Sequence, residues 1–148
     1  MTVGFKHVKM WNAKKGTMCK VPGKWDPMVS VVYWNNKFVS GGSAGNIYLW
    51  SGTTGISSKG HEGRVDSLAV DPQENLYSGC SSGQIIKWKY SGGKLVIDQK
   101  IVNMASIDKF SPGVLSIDFS PENYLVCTNS SSIYELPKNS PETAKTLM

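Results

Sequence analysis

The 148-residue chain is long enough to bury the core of one domain, and its 40% hydrophobic and 18% charged residues argue against a disordered protein. No apolar run reaches the roughly 18 residues that cross a bilayer, and the first residues lack the apolar block of a signal peptide, so no membrane segment is expected. The formal net charge of +5 is unevenly placed: residues 1–60 hold eight Lys and one acid, whereas residues 61–148 hold a small excess of acids.

In chain order, the predicted strands fall into four groups. The first group, in residues 1–25, ends with the strand His7-Val-Lys-Met-Trp11 and a more polar strand, and it is incomplete. Each later group opens with a short apolar strand, turns through residues such as Asn, Asp and Pro, and continues with two more strands and a polar fourth strand. Sustained helical periodicity is absent. The later groups occupy residues 26–60, 61–103 and 104–148.

The second and third strands of these groups form an internal repeat. Phe38–Trp50 aligns without gaps on Leu76–Trp88, since each has an apolar pair, a Ser-Gly pair, a turn ending in Gly and an apolar strand closed by Trp. A weaker third copy, Leu125–Leu136, has a turn that is one residue shorter and ends on Leu. We expect one equivalent core position to be occupied by Trp11, Trp50 and Trp88.

A unit of four short strands that repeats about every 40 residues is typical of a β-propeller blade. The inner strands of a blade are buried between two neighbours, which explains why Ile47–Trp50 is apolar throughout. We therefore predict an all-β fold, a β-propeller fragment of about three four-stranded blades plus part of another. Propellers close with typically 4–8 blades, so the missing blades are expected from a longer chain or from another copy.

A Gly-His pair ending at His61, followed by Ser78 and Trp88, resembles the WD-repeat family. In that family a His, a strand Ser or Thr, a turn Asp and the Trp form a hydrogen-bonded set that locks the blade. The resemblance implies this structural role for His61, Ser78 and Trp88, and for Ser40 and Trp50 one blade earlier. The turn Asp is missing from both blades, so the network is expected to be incomplete.

Three segments, in this order, are similar to the echinoderm microtubule-associated protein-like (EMAP-like) family: Lys6–Trp11, Gly45–Trp50 and Gly60–Gly63. The similarity covers nearly the whole chain, and its specificity lies in the order and spacing of the motifs. It implies a non-catalytic, protein-binding propeller segment in the cytoplasm, associated with the cytoskeleton, with tubulin or microtubules as partner. The alternative is a general WD-repeat scaffold subunit of another multiprotein complex, without tubulin binding.

Candidate partner contacts lie in the loops that lead into the first strand of a blade, because propellers bind partners through such loops. They are Lys24, Trp25, Arg64 and Asp66, and Trp25 stands outside the repeated Trp position. The lysine-rich first third could face an acidic partner such as tubulin or nucleic acid, or could simply be a solvated surface. No nucleic-acid-binding motif accompanies the lysines, so a nucleic-acid partner is not expected.

No catalytic residue, metal site or cofactor is expected. The chain has two histidines and no nucleophile turn of the GxSxG type, and the glycine-rich Gly41–Gly45 lacks the context of a phosphate-binding loop. An enzyme propeller is therefore a remote alternative. The odd number of cysteines, without CxxC spacing, argues against a disulfide framework or a zinc site and favours a reducing, intracellular compartment. They are Cys19, Cys80 and Cys127.

Overall fold

The computed structural model describes all residues, 1–148, and is almost entirely β-structure. Two single 3-10 turns, Met104–Ser106 and Pro141–Thr143, are its helical segments. No helix is long and apolar enough to span a membrane. The strands are β1 Thr2–Val3, β2 Val8–Trp11, β3 Gly16–Met18, β4 Met28–Trp34, β5 Lys37–Gly42, β6 Asn46–Ser51, β7 Thr54–Lys59, β8 Ser67–Val70, β9 Leu76–Gly79, β10 Gln84–Ser91, β11 Lys94–Asn103, β12 Val114–Phe119, β13 Asn123–Thr128, β14 Ile133–Pro137 and β15 Lys145–Thr146.

The strands form four antiparallel sheets in sequence order, which we name blades A to D. Blade A has three strands, β1 to β3, whereas blades B (β4 to β7), C (β8 to β11) and D (β12 to β15) have four each. When the strand pairing of blade A is compared with that of blade B, β1, β2 and β3 correspond to the second, third and fourth strands of a full blade. The predicted fold, three four-stranded blades plus part of another, is confirmed.

The hydrophobic core lies between the blades. One cluster joins blades B and C and contains Leu49, Ile86 and Trp88 among its nine buried residues. A second cluster of nine joins blades C and D, and a smaller one of five joins A and B. Each blade therefore buries both faces of its second and third strands only when neighbours cover them, which accounts for their uniformly apolar sequence.

The Ser-Gly pair of the repeat brings neighbouring blades close together. A Cβ placed on Gly41 would lie 2.7 Å from a methyl carbon of Val65 in the next blade. A Cβ placed on Gly79 would lie even closer to a methyl carbon of Val114, the corresponding residue of blade D. A first-strand serine beside each glycine reinforces the contact, since Ser30 Oγ donates a hydrogen bond of 2.7 Å to the Val65 carbonyl. Glycine is required here by space between backbones.

The third copy of the repeat is in a different register from the one expected. Tyr124 pairs with Leu136 just as Leu76 pairs with Trp88, so the turn has the same length in both blades and the one-residue deletion was wrong. The shift arises because Ser131 takes the position of Gly83, with φ of 62° against 94°. Val126 consequently takes the position of Ser78.

The burial expected for Trp11 was wrong. Its strand position matches Trp50 and Trp88, which are both buried, but the Trp11 side chain is 52% exposed. The difference comes from its neighbours: blade A packs on blade B through its other face, and no blade of the structure covers the face that carries Trp11. The Trp11 indole N–H still donates to Thr2 Oγ1 at 2.9 Å, in the same way as the buried tryptophans bond to a strand serine.

Candidate protein-interaction surface

In blade C, the structure brings His61, Ser78 and Trp88 together in one buried hydrogen-bonded chain. Ser78 Oγ lies 2.6 Å from His61 Nε2 and accepts a bond of 2.7 Å from the Trp88 indole N–H. Burial, with a smaller contribution from the nearby Lys59 ammonium, lowers the pKa of the His61 imidazole to about 4. The ring is therefore neutral at pH 7, sealed from solvent, and unsuited to acid–base chemistry on a substrate.

Gln84 is a further side-chain neighbour of the His61 ring. His61 Nδ1 and Gln84 Oε1 are the two buried side-chain atoms of the protein without a hydrogen-bond partner, and Gln84 tends to raise the pKa of the ring as a side-chain partner. Gln84 therefore lies beside the His61 ring, a neighbour that the sequence pattern did not reveal.

Blade B carries a reduced version of the same arrangement. The Trp50 indole N–H donates to Ser40 Oγ at 2.8 Å, but no histidine follows, and the serine contacts Met28 Sδ at 3.4 Å. The register places Lys24 where blade C has His61. The structure places Ser40 and Trp50 in one hydrogen bond, but the two blades differ in how far the hydrogen-bonded chain extends.

Two buried aspartates hold the loops of blades B and D, and sequence reasoning missed both. Asp26 accepts bonds from Ser43 Oγ (2.9 Å), the Ala44 amide (3.0 Å) and the Tyr48 hydroxyl (2.9 Å). Asp108 accepts similar bonds in blade D, and those from the Ser130 and Thr128 hydroxyls outweigh burial and lower its pKa. Their signal in the sequence was an acid just before the first strand, which no local pattern links to a distant turn.

The loop that leads into blade B presents aromatic and basic side chains to solvent. Lys24 is exposed and Trp25 is 41% exposed. The Trp25 indole N–H is fixed by a 2.7 Å hydrogen bond to the Phe5 carbonyl, and the Phe5 ring is itself 70% exposed. Lys6 Nζ lies 5.8 Å from the centre of that ring. Phe5 and Lys6, which were not singled out from the sequence, therefore extend the predicted contact pair into a patch, which we call the aromatic–basic patch.

The corresponding loop of blade C holds the other predicted pair. Arg64 is exposed and its guanidinium forms an ion pair with Asp66, with 2.5 Å between Arg64 Nε and Asp66 Oδ1 and 3.3 Å between Arg64 Nη2 and Asp66 Oδ2. This pairing raises the pKa of the arginine. The two residues are adjacent on the first-strand side of the blade, so Asp66 orients the guanidinium toward solvent. Their hydrogen bonds do not involve Trp25, which bonds to Phe5 instead.

The basic character of the first sixty residues is a property of the surface. Asp26, their one acid, is buried and fully engaged in hydrogen bonds, so it offers no charge to a partner. The protein surface of residues 1–60 therefore carries positive side chains without an exposed acid among them. The exposed lysines are Lys6, Lys14, Lys15, Lys20, Lys24 and Lys59.

No group of three or more His, Cys, Asp or Glu side chains is placed to hold a metal ion. The largest cleft, of about 620 Å³, lies at the turn after the first strand of blade B and is lined by Tyr33, Trp34 and Glu74 among others. Trp34 is held there by its indole N–H, which donates to the Glu74 carbonyl at 2.7 Å. The remaining lining residues are Asn35, Asn36 and Val70.

No known family profile matches the chain. It is 34% identical over 113 residues to the "77 kDa echinoderm microtubule-associated protein" of Lytechinus variegatus, which covers 69% of this chain and 15% of that protein. It is 26% identical over 131 residues to the "U3 small nucleolar RNA-associated protein 4" of Schizosaccharomyces pombe, covering 81% of this chain and 18% of that protein. The chain thus spans less than a fifth of the length of these relatives.

Solved structures show the same arrangement of blades. The computationally designed Ika8 protein superposes on 98% of this chain with a TM-score of 0.67 at 19% identity, over 43% of the designed chain. The "Cps50 (Swd1) beta-propeller domain" of Myceliophteria thermophila superposes on 84% of this chain with a TM-score of 0.59 at 14% identity, over 40% of its own chain. Together with the repeated blades and the His–Ser–Trp arrangement, these similarities show a β-propeller fold of the WD-repeat type, with three four-stranded blades and part of another.

Proposed function

We propose that this chain is a non-catalytic protein-binding scaffold and that, as an EMAP-like propeller segment, it contributes to association with microtubules in the cytoplasm. The observation that carries the proposal is the combination of similarity to an echinoderm microtubule-associated protein with a first third whose exposed side chains are basic. Microtubule surfaces are acidic, so such a surface would draw them together by charge. The aromatic–basic patch then supplies the anchoring contacts.

Within that patch, Trp25 is the best anchor for a partner. Its hydrogen bond to the Phe5 carbonyl fixes the indole before any partner arrives, so little side-chain entropy is lost on binding. Tryptophan and arginine are the residues that most often dominate binding energy at protein interfaces. Arg64, held by Asp66, is the second anchor, and Lys24 adds charge beside the indole.

The test is co-sedimentation of the 148-residue chain with microtubules at low and at moderate salt. Pelleting is expected at low salt and should weaken on raising the salt, because exposed charges are screened within about 10 Å at 0.1 M. The double variant K14E/K15E should reduce pelleting, whereas K94E/K100E, which makes the same change in charge on blade C, should not. Equal effects of the two variants would show that only net charge matters and would contradict the surface proposed here.

A second candidate is a scaffold subunit of another multiprotein complex without tubulin binding. The observation that favours it is the similarity to the U3 small nucleolar RNA-associated protein 4, which covers more of this chain than the echinoderm protein does. A folded chain that fails to pellet with microtubules at any salt concentration would favour this candidate. Loss of binding to a cellular complex in the Trp25→Ala and Arg64→Ala variants would then locate the interface on the same loops.

A further inference from the structure

The cleft of about 620 Å³ lies between blades B and C, at the turn that follows the first strand of each. Trp34, Asn35 and Asn36 line it from blade B. Val70 and Glu74 line it from blade C. Buried clusters join blade B to blades A and C, and blade C to blades B and D. Both walls therefore belong to blades that have a neighbour on each side, and the cleft lies within the stack.

The backbone around this cleft is unusual. Asn35, Asn36 and Glu74 have φ angles of 48°, 57° and 63°, so three of the protein's four non-glycine residues with positive φ line it. Asparagine is common in a two-residue hairpin turn of this conformation, whereas the left-handed region is strained for a glutamate. Backbone strain of this kind clusters at binding and active sites. A glutamate at a position that glycine would occupy without strain points to a use for its side chain.

The backbone of Glu74 is fixed, while its carboxylate is free. Its carbonyl accepts a hydrogen bond of 2.7 Å from the Trp34 indole N–H, which ties the two walls of the cleft together. Its N–H donates to the Asp71 carbonyl at 2.9 Å. The Glu74 side chain is exposed, and no ion pair of the protein includes it. The carboxylate is thus held at the cleft on a well-bonded turn and can pair with a ligand.

The cleft presents an aromatic ring and hydrogen-bond acceptors around one negative charge. Glu74 is the charged residue among the six that line it. Tyr33, which is 58% exposed, donates its hydroxyl to Asn36 Oδ1 at 3.3 Å, and this bond holds the phenol ring beside the turn. The adjacent Lys37 donates its ammonium to Ser51 Oγ at 3.3 Å, so it is directed to strand β6. The cleft is therefore suited to a cation that can also pack on an aromatic ring.

A guanidinium group matches these features better than an ammonium group does. It is planar, so it stacks on an aromatic ring, and it can donate two parallel hydrogen bonds to one carboxylate. We propose that this cleft binds an arginine side chain of a partner protein, with the guanidinium paired to Glu74 and stacked on Tyr33. The ligand is thus a basic segment of a protein, recognised through one side chain.

This site is separate from the aromatic–basic patch. The patch lies at the loop before β4 and the cleft at the turn after it, and the seven residues of β4, at about 3.3 Å each, set the two about 20 Å apart. The inference therefore goes beyond the proposed function and does not rest on it. The patch takes an acidic partner at one end of the strand, and the cleft takes a basic one at the other.

Titration of the isotope-labelled 148-residue chain with the peptide acetyl-Gly-Arg-Gly-amide, followed by NMR at about 0.15 M salt, tests the site. The Trp34 indole N–H and the amides of Asn36 and Glu74 should shift and saturate with a Kd of about 1 mM or lower. The same peptide with citrulline, a neutral side chain of similar shape, should bind at least about tenfold more weakly, and the lysine peptide about threefold more weakly. Equal binding of the citrulline or the lysine peptide, or shifts confined to residues outside the cleft, would overturn the proposal.

Two variants of Glu74 separate binding from folding. Glu74→Gln keeps the size of the side chain and should weaken binding of the arginine peptide at least about fivefold. Glu62→Gln, the same change on an exposed residue of the loop that leads into blade C, should leave it within about twofold. Glu74→Gly removes the carboxylate and relieves the left-handed backbone, so the Tm should rise by about 2–4 °C while binding is lost. Equal losses of affinity in E74Q and E62Q, or a Tm that falls in E74G, would refute the reasoning.

Discussion

Replacing Ser78 with alanine removes the atom at the centre of the buried chain in blade C. The Ser78 hydroxyl is the hydrogen-bond partner of both His61 Nε2 and the Trp88 indole N–H, and neither group reaches water. A buried polar group left without a partner costs about 1–3 kcal/mol, so we expect the free energy of unfolding to fall by about 3 kcal/mol. The matched variant Ser40→Ala leaves only the Trp50 indole N–H unpaired, since Met28 Sδ is a weak acceptor, and should cost about 1–2 kcal/mol.

Urea unfolding at one fixed protein concentration measures the difference, followed by both tryptophan fluorescence and far-UV circular dichroism. With an m-value of about 2 kcal/mol per molar urea, the midpoint should fall by about 1.5 M in S78A and by about half as much in S40A. Ser57→Ala, on the exposed outer strand of blade B, is the control and should leave the midpoint unchanged. Equal midpoints for S78A and S40A would show that the histidine bond contributes nothing and would refute the reasoning.

Two further predictions concern pH and the close contact between blades. The folded-state pKa of His61 is lowered from 6.5 to about 4, so the unfolded chain takes up a proton at a higher pH than the folded chain does. The free energy of unfolding therefore falls as pH is lowered from 6.5 toward 4. Between pH 7 and pH 5 the loss should be about 2 kcal/mol. Urea midpoints at the two pH values check this, and a His61→Gln variant should lose that dependence. Gly79→Ala should lower the free energy of unfolding by about 1–3 kcal/mol, because the added Cβ forces Val114 away. Cys127→Ala, at the same register position in blade D, should leave the Tm nearly unchanged. Similar losses of Tm in the two variants would contradict the packing described.

The sequence predicted those features that repeat at a fixed spacing. Four short strands, closed by Trp50 and Trp88 at equal positions, recur in each blade because each blade solves the same packing problem. The alignment failed at the third copy because Ser131 adopts the left-handed conformation that glycine adopts elsewhere, so the usual marker of the turn was absent. The burial of Trp11 failed because a side chain's exposure depends on the neighbouring blade and not on its own strand.

The candidate surface was only partly accessible to the same reasoning. Trp25 was singled out because it breaks the repeated Trp position, and its indole is solvent-exposed. Phe5 beside it was missed, since the two residues are brought together by a hydrogen bond from the Trp25 indole N–H to the Phe5 carbonyl, twenty positions away in sequence. Asp26 was missed for the same reason: a lone acid in a basic segment gives no indication of the distant turn whose hydroxyl and amide groups it binds.

Because of the glycine contacts, each packing interface between blades is built from residues of two successive sequence repeats. A repeat contributes the donor half of one interface and the acceptor half of the next, as Ser30 and Gly41 meet Val65 while Ser67 and Gly79 meet Val114. Duplicating or deleting one whole repeat therefore preserves a matched pair at every internal junction. A change confined to one side of a junction, such as Gly79→Ala, breaks the matched pair.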